Sequence, residues 1–548
     1  MDTKRLILFV VFSFSIMMLW EAWQRDHMPP PTVHENAAQS VPATPAAATS
    51  ATATGAPAAI TPDDTGVKLQ SGGRLRVHTD FIVAEIDTVG GDLRRLELIK
   101  HRATEDMSKN LVLLDDRNVP HIYVAQSGLI GAGLPNHKTP FTAKVGDYAL
   151  QDGSDKLEVR LNWNDGKGLQ VDKVYTFHRA SYVVDVAYEI KNGGSTVIEP
   201  SAYYQLVHDS ELGKGTPMMS TFTGVAYFTE ADKYKKLTFS DMEKSNLSKS
   251  ATDGWIGLVQ HYFVGAWIPK QGAAREYYSK RLSDKDYSAG AVLPVGAIAA
   301  GASKTVSASF YAGPQEQNNL KNVAPGLEYT VDYGWLTVVA SPLFWVLSAI
   351  EKLAHNWGIA IILLTVLLKL LFFPLSAKSY KSMAQMRNLA PRLQRLKEQY
   401  GDDRQKLHQA MMELYKTEKV NPMGGCLPIV VQIPVFIALY WVLLATVEMR
   451  HAPFMLWIHD LSASDPYYVL PVLMGITMFI QTKLNPTPPD PVQAKVMTIM
   501  PVAMSVFFFF FPAGLVLYWL VNNMLSIAQQ WAINRSMEGG AKKGHAKA

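Results

Sequence analysis

The chain has a single cysteine, Cys426, among 548 residues, so no intramolecular disulfide can form in whichever compartment a soluble part occupies. It has almost no net charge: 52 basic against 48 acidic residues leave a formal +4. That is too little to suggest nucleic-acid binding, and no specific recognition of a nucleic-acid sequence is expected. Residues 66–325 contain no nucleophile motif, no metal-ligand spacing and no glycine-rich phosphate loop. No nucleotide motif is visible elsewhere, so neither a cofactor nor covalent chemistry is expected. A mean hydropathy of +0.02 describes neither part of an uneven chain, because an apolar C-terminal third offsets an ordinary soluble stretch before it.

What is present falls into blocks. Lys4-Arg5 followed by the apolar Leu6–Trp20 has the charge pattern of a signal sequence without a small-x-small cleavage site. Residues 1–28 therefore read as an uncleaved signal anchor with a cytoplasmic N-terminus. Residues 29–65, rich in Ala, Pro, Thr and Ser, cannot bury enough apolar surface to offset ordering entropy and read as a tether. From 66 to 325 the hydrophobic period is two: Leu157, Val159, Leu161 and Trp163; Tyr182 to Ile190; Val306, Ala308 and Phe310. Such strands between Gly, Asn and Asp turns predict a large antiparallel β-sandwich. His178, His208 and His261 are scattered and read as solvated or core histidines.

After Asn322 the chain becomes membrane-like. Residues 333–355, with Trp335, Phe344 and Trp345, suit an interfacial amphipathic helix. Trp357–Leu375, 19 residues or roughly 28 Å of helix, matches one hydrocarbon core. Cys426–Val447, Tyr467–Ile480 and Val496–Ile533 follow, the last divided at Phe511-Pro512-Ala513-Gly514. This predicts six spans including the anchor, an all-α core over 356–535 and a basic tail over 536–548. The charge distribution agrees with the positive-inside rule. Loop 376–420 has ten basic and five acidic residues, loop 448–466 one and three, and tail 534–548 four and one. Both termini are thus expected in the cytoplasm, with the β-domain on the opposite, periplasmic side of a bacterial inner membrane.

Lys369 lies inside the apolar run Trp357–Leu375, and a cation within a span is costly enough to mark function. Thr365 is on the same helical face. The pair either lines a polar groove within the bilayer or, alternatively, Lys369 snorkels toward the aqueous face near Lys378, roughly 14 Å along the helix. In the last span Tyr518, Asn522, Ser526 and Gln529 form one polar stripe, and Gln432, between Pro428 and Pro434, interrupts the third span. No acidic residue at mid-membrane neutralises Lys369, so an unpaired cation there would attract an acidic segment of a client.

The loop 376–420 reads as a helical hairpin turning at Gly401-Asp402-Asp403, the aspartates placed to cap its second helix. Its Met383, Met386, Met411 and Met412, set among basic residues such as Arg387, either adapt to hydrophobic partners or fill the hairpin's own seam. The basic face also suits anionic phospholipids or ribosomal RNA. Val496–Phe511 spans only roughly 24 Å against a core of about 30 Å, which bilayer thinning or snorkelling helix ends could accommodate. Cys426 reads as a buried structural thiol.

The block Asn421-Pro422-Met423-Gly424-Gly425-Cys426-Leu427-Pro428, leading into Gln432-Ile433-Pro434-Val435-Phe436, resembles the YidC/Oxa/Alb membrane-protein insertases. So do Leu456-Trp457-Ile458-His459-Asp460-Leu461, Asp465-Pro466-Tyr467-Tyr468 and Phe511-Pro512-Ala513-Gly514-Leu515-Val516-Leu517-Tyr518-Trp519. The anchor, tether and β-domain look like the Gram-negative YidC form. The resemblance implies a periplasmic β-supersandwich like that of sugar mutarotases and a five-helix core with a groove open to cytoplasm and lipid. It also implies nascent membrane proteins, the ribosome and the Sec translocon as partners. The family's groove charge is generally arginine; here it is Lys369, which keeps the charge but loses the planar fork. The family sets an aromatic near that charge, for which Tyr518 and Trp519 are the candidates. A transporter with a polar intramembrane site, or an envelope enzyme or sugar-binding protein acting through the β-domain, are the alternatives.

Overall fold

A computed structural model describes residues 69–545 apart from 105, 119–120, 212–221, 402, 419, 421–426 and 486–490. The expected anchor and tether, and Cys426, lie outside the described residues. The chain divides into two compact units, one drawn from Pro57–Trp345 and Val435–Ala452, the other from Val346–Pro434 and Pro453–Ala548.

The first unit is built on two sheets. In hydrogen-bonded order, the eight-stranded sheet runs Lys233–Leu237, Gly224–Thr229, Trp255–Val259, Phe263–Pro269, Ser303–Pro314, Val183–Asn192, Leu169–His178 and Lys156–Asn164. The expected alternation at 157–163, 182–190 and 306–310 falls on three of these strands, and Val184 and Phe310 lie abreast on two of them with Phe177 of Leu169–His178 on the other side of Val184. The ten-stranded sheet runs Ser248–Ala251, Arg275–Arg281, Asp286–Pro294, Ser201–Asp209, Tyr123–Ile130, Leu93–Arg102, Ile82–Asp87, Arg74–His78 and Gly146–Ala149, with Asn110–Leu114 beside Leu93–Arg102. Its pairings are antiparallel except that of Arg74–His78 with Gly146–Ala149. The sheets meet through aromatic side chains: Trp267 of the eight-stranded sheet lies 5.1 Å from Tyr204 of the ten-stranded one and 4.6 Å from its own cross-strand neighbour Phe310, tilted ring pairs that add to the burial of large apolar area.

The interior also holds charge. Lys173, Asp92 and Arg94 are 0 %, 0 % and 1 % exposed. Lys173 Nζ donates to the carbonyls of Gly90 and Ser127 at 2.9 and 3.2 Å, and burial pushes its ammonium down to about 8. The three histidines sort as expected into core and solvated types. His208 is buried against Tyr123 and Phe239 and lowered to about 3 by desolvation. His178 is partly exposed and pairs with Asp185 at 2.7 Å. His261 plays a further part, because residues 444–451 dock onto this unit. His261 Nε2 hydrogen-bonds the Leu444 carbonyl at 2.9 Å, Arg450 donates to Thr104 Oγ1 at 2.9 Å and lies over the Phe263 ring, and Val447 enters the main core.

Residues 334–354 form one continuous helical segment of 21 residues, Gly334–Ala354, long and apolar enough by length and composition to cross a membrane. Its α-helical part is Thr337–Ala354, here labelled α3, after two short helices of the β-domain, α1 (Phe239–Lys244) and α2 (Gln317–Val323). Trp335, Val338, Trp345 and Leu353 on this segment are 73–85 % exposed, as a lipid-contacting helix requires.

In the second unit α4 (Trp357–Leu371) is capped by Asn356, whose side chain accepts from Ile359 N. The expected 19-residue span does not run straight to Leu375. It breaks at Phe372, and the chain bends by 67° into α5 (Phe373–Tyr400). Pro374 sits in the first turn of α5, where its missing N–H costs nothing, whereas within a continuous helix it would remove a backbone bond. The expected helical hairpin is present as α5 and α6 (Arg404–Thr417), and Asp403 caps α6 by accepting from Lys406 N at 3.1 Å. Next come α7 (Leu427–Ala445), whose residues from Val435 on belong to the first unit, then α8 (Val469–Leu484), α9 (Pro491–Phe507) and α10 (Ala513–His545). The start of α8 is organised by buried Asp465, which accepts from Trp457 Nε1 at 3.0 Å, Tyr467 N at 3.0 Å and Leu470 N at 2.7 Å. This explains the motif Asp465-Pro466-Tyr467-Tyr468 as a turn before α8 whose carboxylate satisfies the free N–H of Leu470 in the first turn of the helix. Helix α10 packs along α4, α5 and α8.

Candidate functional site

The polar stripe on α10 meets α4, α5 and α7 in one hydrogen-bonded row. Asn522 and Ser526 are one turn apart, so both face the same side. Lys369 Nζ, from the last turn of α4, donates to Ser526 Oγ at 2.7 Å. Ser526 Oγ donates in turn to the Asn522 carbonyl at 2.7 Å. Gln432 Nε2, from α7, donates to Asn522 Oδ1 at 2.7 Å. Tyr518 hydrogen-bonds Gln432, and Tyr380, from α5, hydrogen-bonds Ser526. In the two inter-helix bonds whose donor is fixed, Lys369 and Gln432 donate and α10 accepts. Among the described residues no carboxylate pairs with Lys369, and only its bond to a neutral hydroxyl is formed.

The structure brings together Lys369, Gln432, Tyr518, Asn522 and Ser526 and separates two other candidates from them. Thr365 is 1 % exposed, and its hydroxyl donates to Ile361 O at 2.6 Å. It is closed on its own helix although it shares the face of Lys369. Trp519 packs on Phe508 at 5.3 Å, and Tyr518 joins the row through its bond to Gln432. Gln529 lies beyond the row, with an amide nitrogen that has no partner among the described residues.

Two features escaped the sequence. Tyr380 lies eleven residues after Lys369, the spacing that puts Gln529 on the stripe of Tyr518, and that was the available signal; the bend at Phe372 then sets how close it comes to Ser526. A second polar row on α10 faces α8: Asn523 donates to Thr477 Oγ1 at 3.4 Å, and Gln530 to Leu484 O at 3.3 Å and Asn485 Oδ1 at 3.1 Å. The seven-residue spacing of Asn523 and Gln530 was the available signal.

On the hairpin, Met383, Met386 and Met411 are partly buried and Met412 is 41 % exposed. Arg392 forms an ion pair with Glu418 across the two ends. The side chain of Arg387 lies outside the described residues.

A two-sheet β-unit followed in the chain by apolar helices, one segment of which is long and apolar enough to cross a membrane, defines a membrane protein with a large β-rich domain. Residues 74–346 match the YidC periplasmic domain, and residues 349–542 match the 60Kd inner membrane protein family. The membrane protein insertase YidC of Methylobacillus flagellatus is 68 % identical over the whole of both chains. That of Aromatoleum aromaticum is 54 % identical over 99 % of this chain and 100 % of its own. A crystal structure of an active YidC insertase with its first transmembrane domain resolved covers 85 % of this chain and 94 % of its own, at 19 % identity and a TM-score of 0.40. A galactose mutarotase-like protein from Lactobacillus casei covers 44 % of this chain and 100 % of its own, at 10 % identity and a TM-score of 0.32. The chain belongs to the YidC family of membrane protein insertases, and its function is the insertion of membrane proteins. These relatives favour neither the transporter nor the envelope-enzyme alternative.

Proposed function

We propose that insertion proceeds through a hydrated groove around Lys369, without covalent chemistry. The reading takes six spans, 1–28 being the first and α4, α7, α8, α9 and α10 the core, with both termini cytoplasmic and the β-domain periplasmic. Gly334–Ala354 lies at the interface in this arrangement. The basic hairpin α5–α6 captures a chain emerging from the ribosome, using its methionines for apolar contact and its basic residues for ribosomal RNA and anionic phospholipids. The groove then holds a short hydrophilic, often acidic, segment while the client's apolar helix slides along α7 and α9 into lipid. Burial of client apolar surface drives this step at roughly 25 cal/mol per Å², and the short spans thin the bilayer locally. The Sec translocon supplies clients alongside the ribosome.

The observation that carries the reading is the cation itself: Lys369 rests on a serine hydroxyl and keeps its charge available. Site-specific photocrosslinking in membranes, with ribosome-stalled nascent chains bearing one transmembrane segment, tests it. Ile433 on α7 and Val502 on α9, 48 % and 64 % exposed, are the probe positions, and Leu353, 85 % exposed, is the control. Client adducts at the first two and not at Leu353 are expected. Equal adducts at all three, or none with ribosomes engaged, would overturn the route.

A further inference from the structure

We propose that Ser526 is a neutral resting acceptor that holds the Lys369 ammonium in place and thereby makes the site selective for acidic over neutral client segments. This rests on the groove reading above and names the chemistry that the groove selects. The hydroxyl proton of Ser526 is committed to the Asn522 carbonyl at 2.7 Å, so its lone pairs are what it offers outward. Lys369 Nζ sits on them at 2.7 Å, and Tyr380 hydrogen-bonds the same side chain. Ser526 is 3 % exposed, and its place in the row is tied through Asn522 to Gln432.

A buried serine that gives its proton to its own helix turns its lone pairs to the Lys369 ammonium, so in this arrangement it acts as an acceptor. A neutral acceptor orients an ammonium without neutralising it. A carboxylate in the same place would satisfy the cation with a charge-assisted bond roughly twice as strong, leaving nothing for a client to gain. The arriving carboxylate of a client has that advantage over Ser526. It replaces a neutral bond by a charge-assisted one and takes the ammonium, whereas a neutral segment gains no such exchange. Selectivity therefore comes from the acceptor's lack of charge as much as from the cation.

The test compares insertion of two clients that differ only in an acidic or a neutral translocated segment, in membranes carrying the full chain. Ser526→Asp should lower the acidic-to-neutral ratio about tenfold, the order expected for losing one charge-assisted exchange. Ser526→Ala should lower the ratio by removing the hold on Lys369, and Ser526→Thr, which keeps the hydroxyl, should restore it. A general loss of folding would depress both clients together and leave the ratio unmoved. Wild-type ratios in both Ser526→Asp and Ser526→Ala, with the neutral client inserted at its wild-type level, overturn the inference. Lys369→Gln separates the two levels. If it leaves the ratio unchanged, the groove-cation reading fails. If it collapses the ratio while Ser526→Asp does not, only the role given to Ser526 fails.

Discussion

Replacing Glu448 by glutamine should make the stability of the β-unit less dependent on pH, in one direction only. Glu448 belongs to the docked segment after α7, near Tyr333 and within the field of Glu316. Burial, with repulsion from Glu316, pushes its carboxyl up from 4.5 to about 7. The folded unit therefore binds this proton more tightly than the unfolded chain. Below pH 4.5 the group is protonated in both states and has no cost. Between 4.5 and about 7 the folded state loses stability as pH rises, and above that the loss is complete and flat. At about 1.4 kcal/mol per pH unit the ceiling is about 3 kcal/mol, and partial exposure of the side chain reduces the expectation to about 1–2 kcal/mol. His101 and His261, pushed down to about 4 by burial, act oppositely, destabilising the fold as pH falls from about 6.5 toward 4. Both proteins share those histidines, so the difference between them isolates Glu448. Thermal unfolding of the full chain in detergent from pH 4.5 to 8.5 should show coincident curves at the acid end and a Glu448→Gln advantage that grows to pH 7 and then levels. A constant difference, or one that widens on acidification, would refute the argument.

Two further predictions concern the helical unit. Asp465→Ala strands three donors at the start of α8 and should cost about 3 kcal/mol or more; Asp465→Asn keeps one acceptor oxygen and should cost about half as much, and equal losses in thermal unfolding would contradict this role of the carboxylate. Gly358 faces Phe454 so closely that an added Cβ would lie 2.0 Å from Phe454 Cδ2. Gly358→Ala should therefore lose about 1–3 kcal/mol by overpacking, with partial recovery in the Gly358→Ala/Phe454→Leu double variant; an unchanged melting temperature for the single variant would show that the ring moves freely.

Local patterns proved the most legible. Alternation at 157–163, 182–190 and 306–310 marked strands because a half-buried sheet imposes a period of two wherever one face is wet. Asp403 could be read as a cap because the bond from its carboxylate to Lys406 N spans only three residues. The row Tyr518, Asn522, Ser526 followed from helical spacing for the same reason. Features that depend on a change of direction were not legible. Thr365 shares the face of Lys369, yet its hydroxyl is satisfied by Ile361 one turn back, and spacing alone cannot say whether a threonine turns inward or outward. The bend at Phe372 ended the expected span early and carried Tyr380 to Ser526.

By itself the sequence determined the division into a β-rich part and an apolar helical part, the hairpin between α5 and α6, and the presence of an intramembrane-type cation among polar residues. Each of these is set by the period or composition of a short window. Only the tertiary structure decided the order of the two sheets, the docking of residues 444–451 on the β-unit, the bond of Tyr518 to Gln432, and Ser526 as the partner of Lys369. Those depend on contacts between residues far apart in the chain, 157 positions for Lys369 and Ser526 and 346 for Arg450 and Thr104, whose geometry is set by how whole elements pack and not by any pattern within one of them.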